Sequence, residues 1–154
     1  MLSTRVGRLR WWAGLAAVVS IQAALVLAAG GAAIGVGVWT SLGDSGQLPR
    51  GVWSTLAYLP AVLLVGAITA AAYAGGPRIA ALGWAVVGWA SVVAMLGDTL
   101  RLPAWARDLS PLEHTGRVPL VTPDAAALAL LSVLAVVTAA AAGVRFARRD
   151  LSTG

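Results

Sequence analysis

Apolar residues run along this chain in four long blocks, at 11–39, 52–74, 79–97 and 125–144, and none of the four contains a charged side chain. About 20 consecutive apolar residues suffice to carry an α-helix across the hydrocarbon core of a bilayer. Each block therefore predicts one transmembrane helix. The first is long: at about 1.5 Å per residue it would reach ~43 Å, against a hydrocarbon thickness of ~30 Å. It must either tilt or fray over Gly30 to Gly37. Pro60 lies inside the second block; lacking an N–H and clashing with the preceding turn, it predicts a kink there. Small residues fall at spacing four in the first block, as Gly31 and Gly35 and as Ala29, Ala33 and Gly37. Such spacing lets helix backbones approach closely where lipid supplies no hydrophobic drive.

The connections are 40–51, a tight turn Gly75-Gly76-Pro77-Arg78, and a longer loop at 98–124. The pattern predicts an all-α membrane protein, a single membrane domain over 1–154 with four transmembrane helices. A cleaved signal peptide is the competing reading of the amino terminus, but the first apolar run exceeds the roughly 7–15 residues of such a segment.

Composition sharpens this reading. Hydrophobic residues make up 59% of the chain and charged residues 11%, where a soluble domain carries about 25% charged. All eleven basic residues are Arg, and there is no Cys, so disulfides, thiolate metal sites and cysteine nucleophiles are excluded. The net charge of +5 does not indicate nucleic acid, because the Arg residues stand at the ends of apolar runs rather than on one soluble face.

Those positions set the expected topology instead. Arg5, Arg8 and Arg10 precede the first span, Arg78 sits in the short turn, and Arg145, Arg148 and Arg149 follow the fourth span. By the positive-inside rule both termini and the Arg78 turn are cytoplasmic, and the loops at 40–51 and 98–124 face out. An even number of spans requires both termini on one side, so charge and span count agree. Trp11, Trp12, Trp39, Trp53 and Trp105 fall near the expected interfaces, whereas Trp84 and Trp89 lie deeper and read as packing residues.

Chemistry is sparse. The polar residues within the spans are Ser20, Gln22, Thr55, Thr69, Ser91, Ser132 and Thr138; none can carry a coupling proton or ion as buried carboxylates and histidines do. No GxxxxGK[ST] phosphate loop occurs, so the chain itself is expected to hydrolyse no ATP, bind no cofactor and be no enzyme. Glu113 and His114 are the only adjacent acid and imidazole, and neighbours in sequence do not share a helix face as a metal-binding pair does. No catalytic or metal site is expected.

The loop before the last span is the most specific part of the chain: Leu102-Pro103-Ala104-Trp105-Ala106-Arg107-Asp108-Leu109-Ser110-Pro111-Leu112-Glu113-His114. Its prolines resist one continuous helix and its charges resist lipid. Asp108 or Ser110 could cap a short helix, and Trp105 could anchor it at the interface. The expected structure is a short interfacial helix or turn closed before Pro111 and packed over the outer ends of the third and fourth helices. It serves either as a structural lid or in direct substrate contact.

The motif LPxWxxDLSP followed by His114, lying before a last span that ends in Phe146-Ala147-Arg148-Arg149-Asp150-Leu151, resembles the carboxy-terminal end of ABC-2 type permeases of the polyketide antibiotic exporter family. The lead-in Leu2 to Trp11 is similar to the cytoplasmic approach to the corresponding span. Leu112 departs from a common Phe, and Thr115 to Pro119 replaces a shorter link. The resemblance covers only the last four spans of such a permease, so the chain reads as a partial one. It implies a bacterial plasma-membrane exporter that moves hydrophobic antibiotic or drug-like compounds outward. A separate ATP-binding subunit would consume the ATP. The other partners implied are the remaining permease helices or a second permease copy, and the bilayer. A reading from a different class remains open, that of a small membrane scaffold or accessory subunit that transports nothing.

Overall fold

The computed structural model describes residues 5–96, 99–100, 102–103, 105, 110–112 and 124–148, without the side chains at 5, 6, 8, 77 and 78. Five helices are described: α1 (Arg5–Leu42), α2 (Gln47–Leu56), α3 (Leu59–Gly75), α4 (Pro77–Leu96) and α5 (Ala125–Arg148). No strand occurs among the described residues. Four stretches are long and apolar enough to cross a membrane, Leu9–Leu42, Gln47–Gly75, Ile79–Leu96 and Ala125–Arg148. The second of them is α2 and α3 taken together.

α1 does not fray over Gly30 to Gly37. It stays helical for 38 residues, a length of about 57 Å. Two of the glycines that weaken local helix propensity are held by packing: Gly31 and Gly35 are buried against α2. The helix ends where Gly43 adopts φ +75°, a left-handed cap that costs glycine no Cβ clash, and its N–H reaches back to the Trp39 carbonyl at 2.7 Å.

The second span is interrupted at Ala57 and Tyr58, just ahead of Pro60. Pro60 offers no N–H to the Leu56 carbonyl. The chain tightens to compensate: Tyr58 N–H donates to the Thr55 carbonyl at 3.1 Å, and regular spacing resumes with Val62 N–H on the Tyr58 carbonyl at 3.0 Å. Ala57 and Tyr58 both keep right-handed helical angles, so the span is interrupted without being unwound.

α3 is the centre of the remaining bundle, packing on both α4 and α5. Ala61 and Leu64 of α3 meet Leu131 and Ala135 of α5 in a buried cluster. Gly83 of α4 sits on Thr69 of α3, where an added Cβ would lie 3.3 Å from the Thr69 backbone. Small residues dominate these contacts, as expected where dispersion and close approach hold helices together. Gly76, at φ +117°, turns α3 into α4. Its N–H caps Tyr73, and its carbonyl accepts from Ile79 and Ala80, with Pro77 opening α4 as its pre-set φ favours.

Trp84 corrects a sequence expectation. It is 76% exposed rather than packed, because α4 turns Gly83, Ala90 and Val93 inward and leaves Trp84, one residue from Gly83, pointing away. Trp89 is half-buried.

Candidate functional site

Two helix contacts and one loop segment stand out in this bundle. The first contact is the crossing of α1 and α2. A Cβ added at Gly35 would lie 2.7 Å from the Leu48 Cα and 2.8 Å from the Gln47 carbonyl oxygen, and one at Gly31 would run into the Gly51 carbonyl. Gly51 faces them from α2, where an added Cβ would lie 3.0 Å from the Gly35 Cα. Backbones this close admit only glycine. One turn away the Thr55 hydroxyl donates to the Leu27 carbonyl of α1 at 2.8 Å. Of the two small-residue stripes read from the sequence, Gly31 and Gly35 make the contact. Ala29, Ala33 and Gly37 are exposed.

A polar clasp closes the same end of the crossing. Asp44 accepts from the Gly46 N–H at 2.9 Å and from the Gln47 side-chain amide at 2.8 Å, and Arg50 approaches it to 3.6 Å. These partners, the Gly46 N–H foremost, hold the Asp44 carboxyl below its ordinary pKa by favouring the charged form. Arg50 and Asp44 are well exposed, so the ion pair itself contributes little.

The second contact joins the start of α1 to the end of α5. The Trp12 indole N–H donates to the Ala139 carbonyl at 3.1 Å, and the ring lies over Gly143, where an added Cβ would meet it at 2.5–2.7 Å. Trp11 and Trp12 both stack on Phe146, at centroid separations of 5.8 and 5.5 Å. Exposed Arg10, Arg145 and Arg148 flank this aromatic group. The contact thus gathers the basic beginning and basic end of the chain at one end of the bundle. The stripe that receives Trp12, Ala135-Ala139-Gly143-Ala147 at spacing four, was legible in the sequence and was missed there. The side chains of Arg5, Arg8 and Arg78, and the whole of Arg149, lie outside the described residues.

In the loop, Ser110 is fully buried and Leu112 packs against the Ala61, Leu64, Leu131 and Ala135 cluster. Leu112 therefore rests on α3 and α5, the second and fourth spans. Leu102 is half-buried, Pro103 is exposed and Pro111 is half-buried in a turn. Trp105 is 74% exposed. Asp108, Leu109 and His114 lie outside the described residues, as does most of the segment expected to form a short helix. At the far side of the loop Asp124 caps α5, its carboxylate accepting from the Ala126 N–H at 3.0 Å.

Among the described residues no three His, Cys, Asp or Glu side chains gather as a metal would need. Four hydroxyls inside the spans bond to their own helices: Ser20 on Ala16, Thr69 on Val65, Ser91 on Val87 and Ser132 on Leu128, at 2.8–2.9 Å. α1 and α2 meet through glycine, α3 and α5 pack through Ala61, Leu64, Leu131 and Ala135, and the two groups are joined both by the Ala57–Tyr58 interruption and by Trp12 of α1 on α5.

Residues 1–147 match the family described as multidrug efflux system permease Rv1217c, C-terminal domain. No curated protein matches the chain, and no solved structure does. With nearly the whole chain inside the match and four helices long and apolar enough to span a membrane, this protein belongs to the family of the C-terminal domain of the multidrug efflux permease Rv1217c.

Proposed function

We propose that the chain is the carboxy-terminal membrane part of an ABC-2 type exporter of the polyketide antibiotic group, moving hydrophobic antibiotic or drug-like compounds outward across a bacterial plasma membrane. The observation that carries this reading is the match of residues 1–147 to an efflux permease domain. The loop motif from Leu102 to His114 supports the narrower family. What the sequence lacks supports a separate energy source. Its spans hold no ionisable residue to carry a coupling ion and it has no phosphate loop, so a separate ATP-binding subunit does the hydrolysis. The chain itself is no enzyme and holds no cofactor.

Both termini and the Arg78 turn face the cytoplasm, following the Arg bias. Closure of the ATP-binding subunit rocks helices between inward- and outward-open states. In this chain the interruption at Ala57 and Tyr58 is where the α1–α2 pair pivots on the α3–α5 bundle.

The test is to co-express the chain with the ATP-binding cassette protein encoded beside it and any companion permease piece, purify, and reconstitute into vesicles. Copurification, stimulated ATP turnover and ATP-dependent movement of a hydrophobic fluorescent dye are expected. The purified chain alone should turn over no ATP. Stable association without transport or stimulated turnover would instead favour a scaffold role.

A further inference from the structure

α1 is held in two different ways. It meets α2 backbone against backbone at Gly31, Gly35 and Gly51, with the Thr55 hydroxyl on the Leu27 carbonyl. It meets the α3–α5 group at its start, where the Trp12 ring lies on α5, and more lightly along α3. The chain itself links the same two groups at Ala57 and Tyr58. A helix pair held at two points can turn about one of them only if the other releases, and the covalent link cannot release.

The Trp12 contact can part without leaving a polar group unpaired. Its indole N–H donates to the Ala139 carbonyl at 3.1 Å. That carbonyl lies inside α5 (Ala125–Arg148), where the Gly143 N–H, four residues on, is its regular helical partner. Withdrawal of the ring therefore leaves the α5 backbone satisfied. The indole also has somewhere to go. Trp12 is half-buried, three residues into the Leu9–Leu42 span and beside Trp11, which is 59% exposed. At that depth an indole N–H finds water or lipid headgroups. The Gly31–Gly51 crossing has no such second arrangement, because backbone faces backbone there.

We propose that the Trp12 contact is a releasable latch on the cytoplasmic side of the bundle. Closed, it holds the start of α1 on the end of α5. Released, it lets the α1–α2 pair swing away from the α3–α5 group with the glycine crossing intact, which opens the bundle inward. One contact with two satisfied arrangements is the kind of bistable element through which a driven transition works. The latch rests on the exporter reading for its place in a transport cycle, while its opening belongs to the chain alone.

The chain has no cysteine, so pairs of spin labels can be placed cleanly. Leu9→Cys with Val144→Cys spans the latch, and Ile34→Cys with Trp53→Cys spans the α1–α2 crossing; all four positions are exposed. In vesicles containing the full chain, Trp12→Phe keeps a ring but loses the N–H. It should raise the ratio of open to closed populations at the latch about two- to tenfold, the range for one hydrogen bond. Trp12→Ala should raise it further, and the crossing pair should keep its separation in both variants, which also shows that they fold. In complex with the ATP-binding subunit, the latch pair should alternate between a short and a long separation through the nucleotide cycle while the crossing pair stays fixed. A latch separation that ignores both Trp12 variants, one that stays constant while the complex transports, or a crossing pair that moves with it would each overturn the proposal. If no ATP-binding subunit associates, the exporter reading fails, and the two variants in the chain alone still decide the latch.

Discussion

The two ends of α1 are both held through glycine, and they are held differently. At the far end glycine meets backbone: Gly31 and Gly35 admit the α2 backbone at Gly51, Val52 and Leu48, with the Thr55 hydroxyl also against Gly31. At the near end glycine meets an aromatic ring, Gly143 receiving the Trp12 indole that also donates to Ala139. A backbone contact has no side chain that can turn aside, whereas an indole can. The first contact is thus a rigid joint between α1 and α2, and the second an adjustable clasp between the ends of the chain.

That contrast orders the expected effects of substitution. The largest belongs to Gly31→Leu, which forces the α1–α2 crossing apart. We expect a loss of about 3 kcal/mol or more, since overpacking against backbone has no rotamer escape. The exposed Gly37, with no atom within 4 Å of an added Cβ, is the control, and Gly37→Ala should be neutral or slightly stabilising. Unfolding in mixed micelles measures both; equal sensitivity at the two positions would erase the distinction between joint and open face.

Gly143→Ala should cost about 1–2 kcal/mol, because the Trp12 ring can shift but then strains its hydrogen bond and its stacking. Combined with Trp12→Ala it should cost little more than Trp12→Ala alone, a non-additivity expected of residues in contact. A third and smaller effect is expected from Thr55→Val, which removes the hydroxyl on the Leu27 carbonyl at a cost of about 0.6–1 kcal/mol.

The smallest effect concerns pH. Asp44 titrates below its ordinary value because its charged form accepts from Gly46 and Gln47. Its stabilising contribution is therefore full above the ordinary carboxylate pKa and is lost as pH falls through the lowered one. Asp44→Asn should flatten the acid limb of the stability profile slightly, with no change near neutrality in the pH dependence, since the carboxylate stays ionised there.

Much of the architecture was legible because lipid imposes one rule, that backbone polar groups be satisfied internally, and charge-free apolar blocks obey it visibly. The span cores were recovered that way. The helices themselves extend past the apolar blocks. α1 is helical from at least Arg5 and α5 to at least Arg148, because helices continue through basic interfacial turns that hydropathy counts against. The interruption at Ala57 and Tyr58 was anticipated from Pro60 but lies just before it, where the missing donor is felt. Spacing alone left Gly31 and Gly35 on equal terms with Ala29, Ala33 and Gly37, since only the position of α2 decides which stripe is covered. Trp84 was misread for a related reason: depth along a helix says nothing of the direction in which a ring points. Of the loop, spacing did not show that Leu112 packs on α3 and α5.

The most direct test is to establish on which sides of the membrane the α1–α2 connection and the end of α5 lie. With single cysteines placed by Asp44→Cys and Arg148→Cys in whole cells, an impermeant maleimide should label the first and leave the second untouched until the membrane is opened. A chain with four spans and both termini in the cytoplasm requires that result. Labelling of Arg148→Cys from outside, with Asp44→Cys protected, would contradict the topology and the exporter reading built on it.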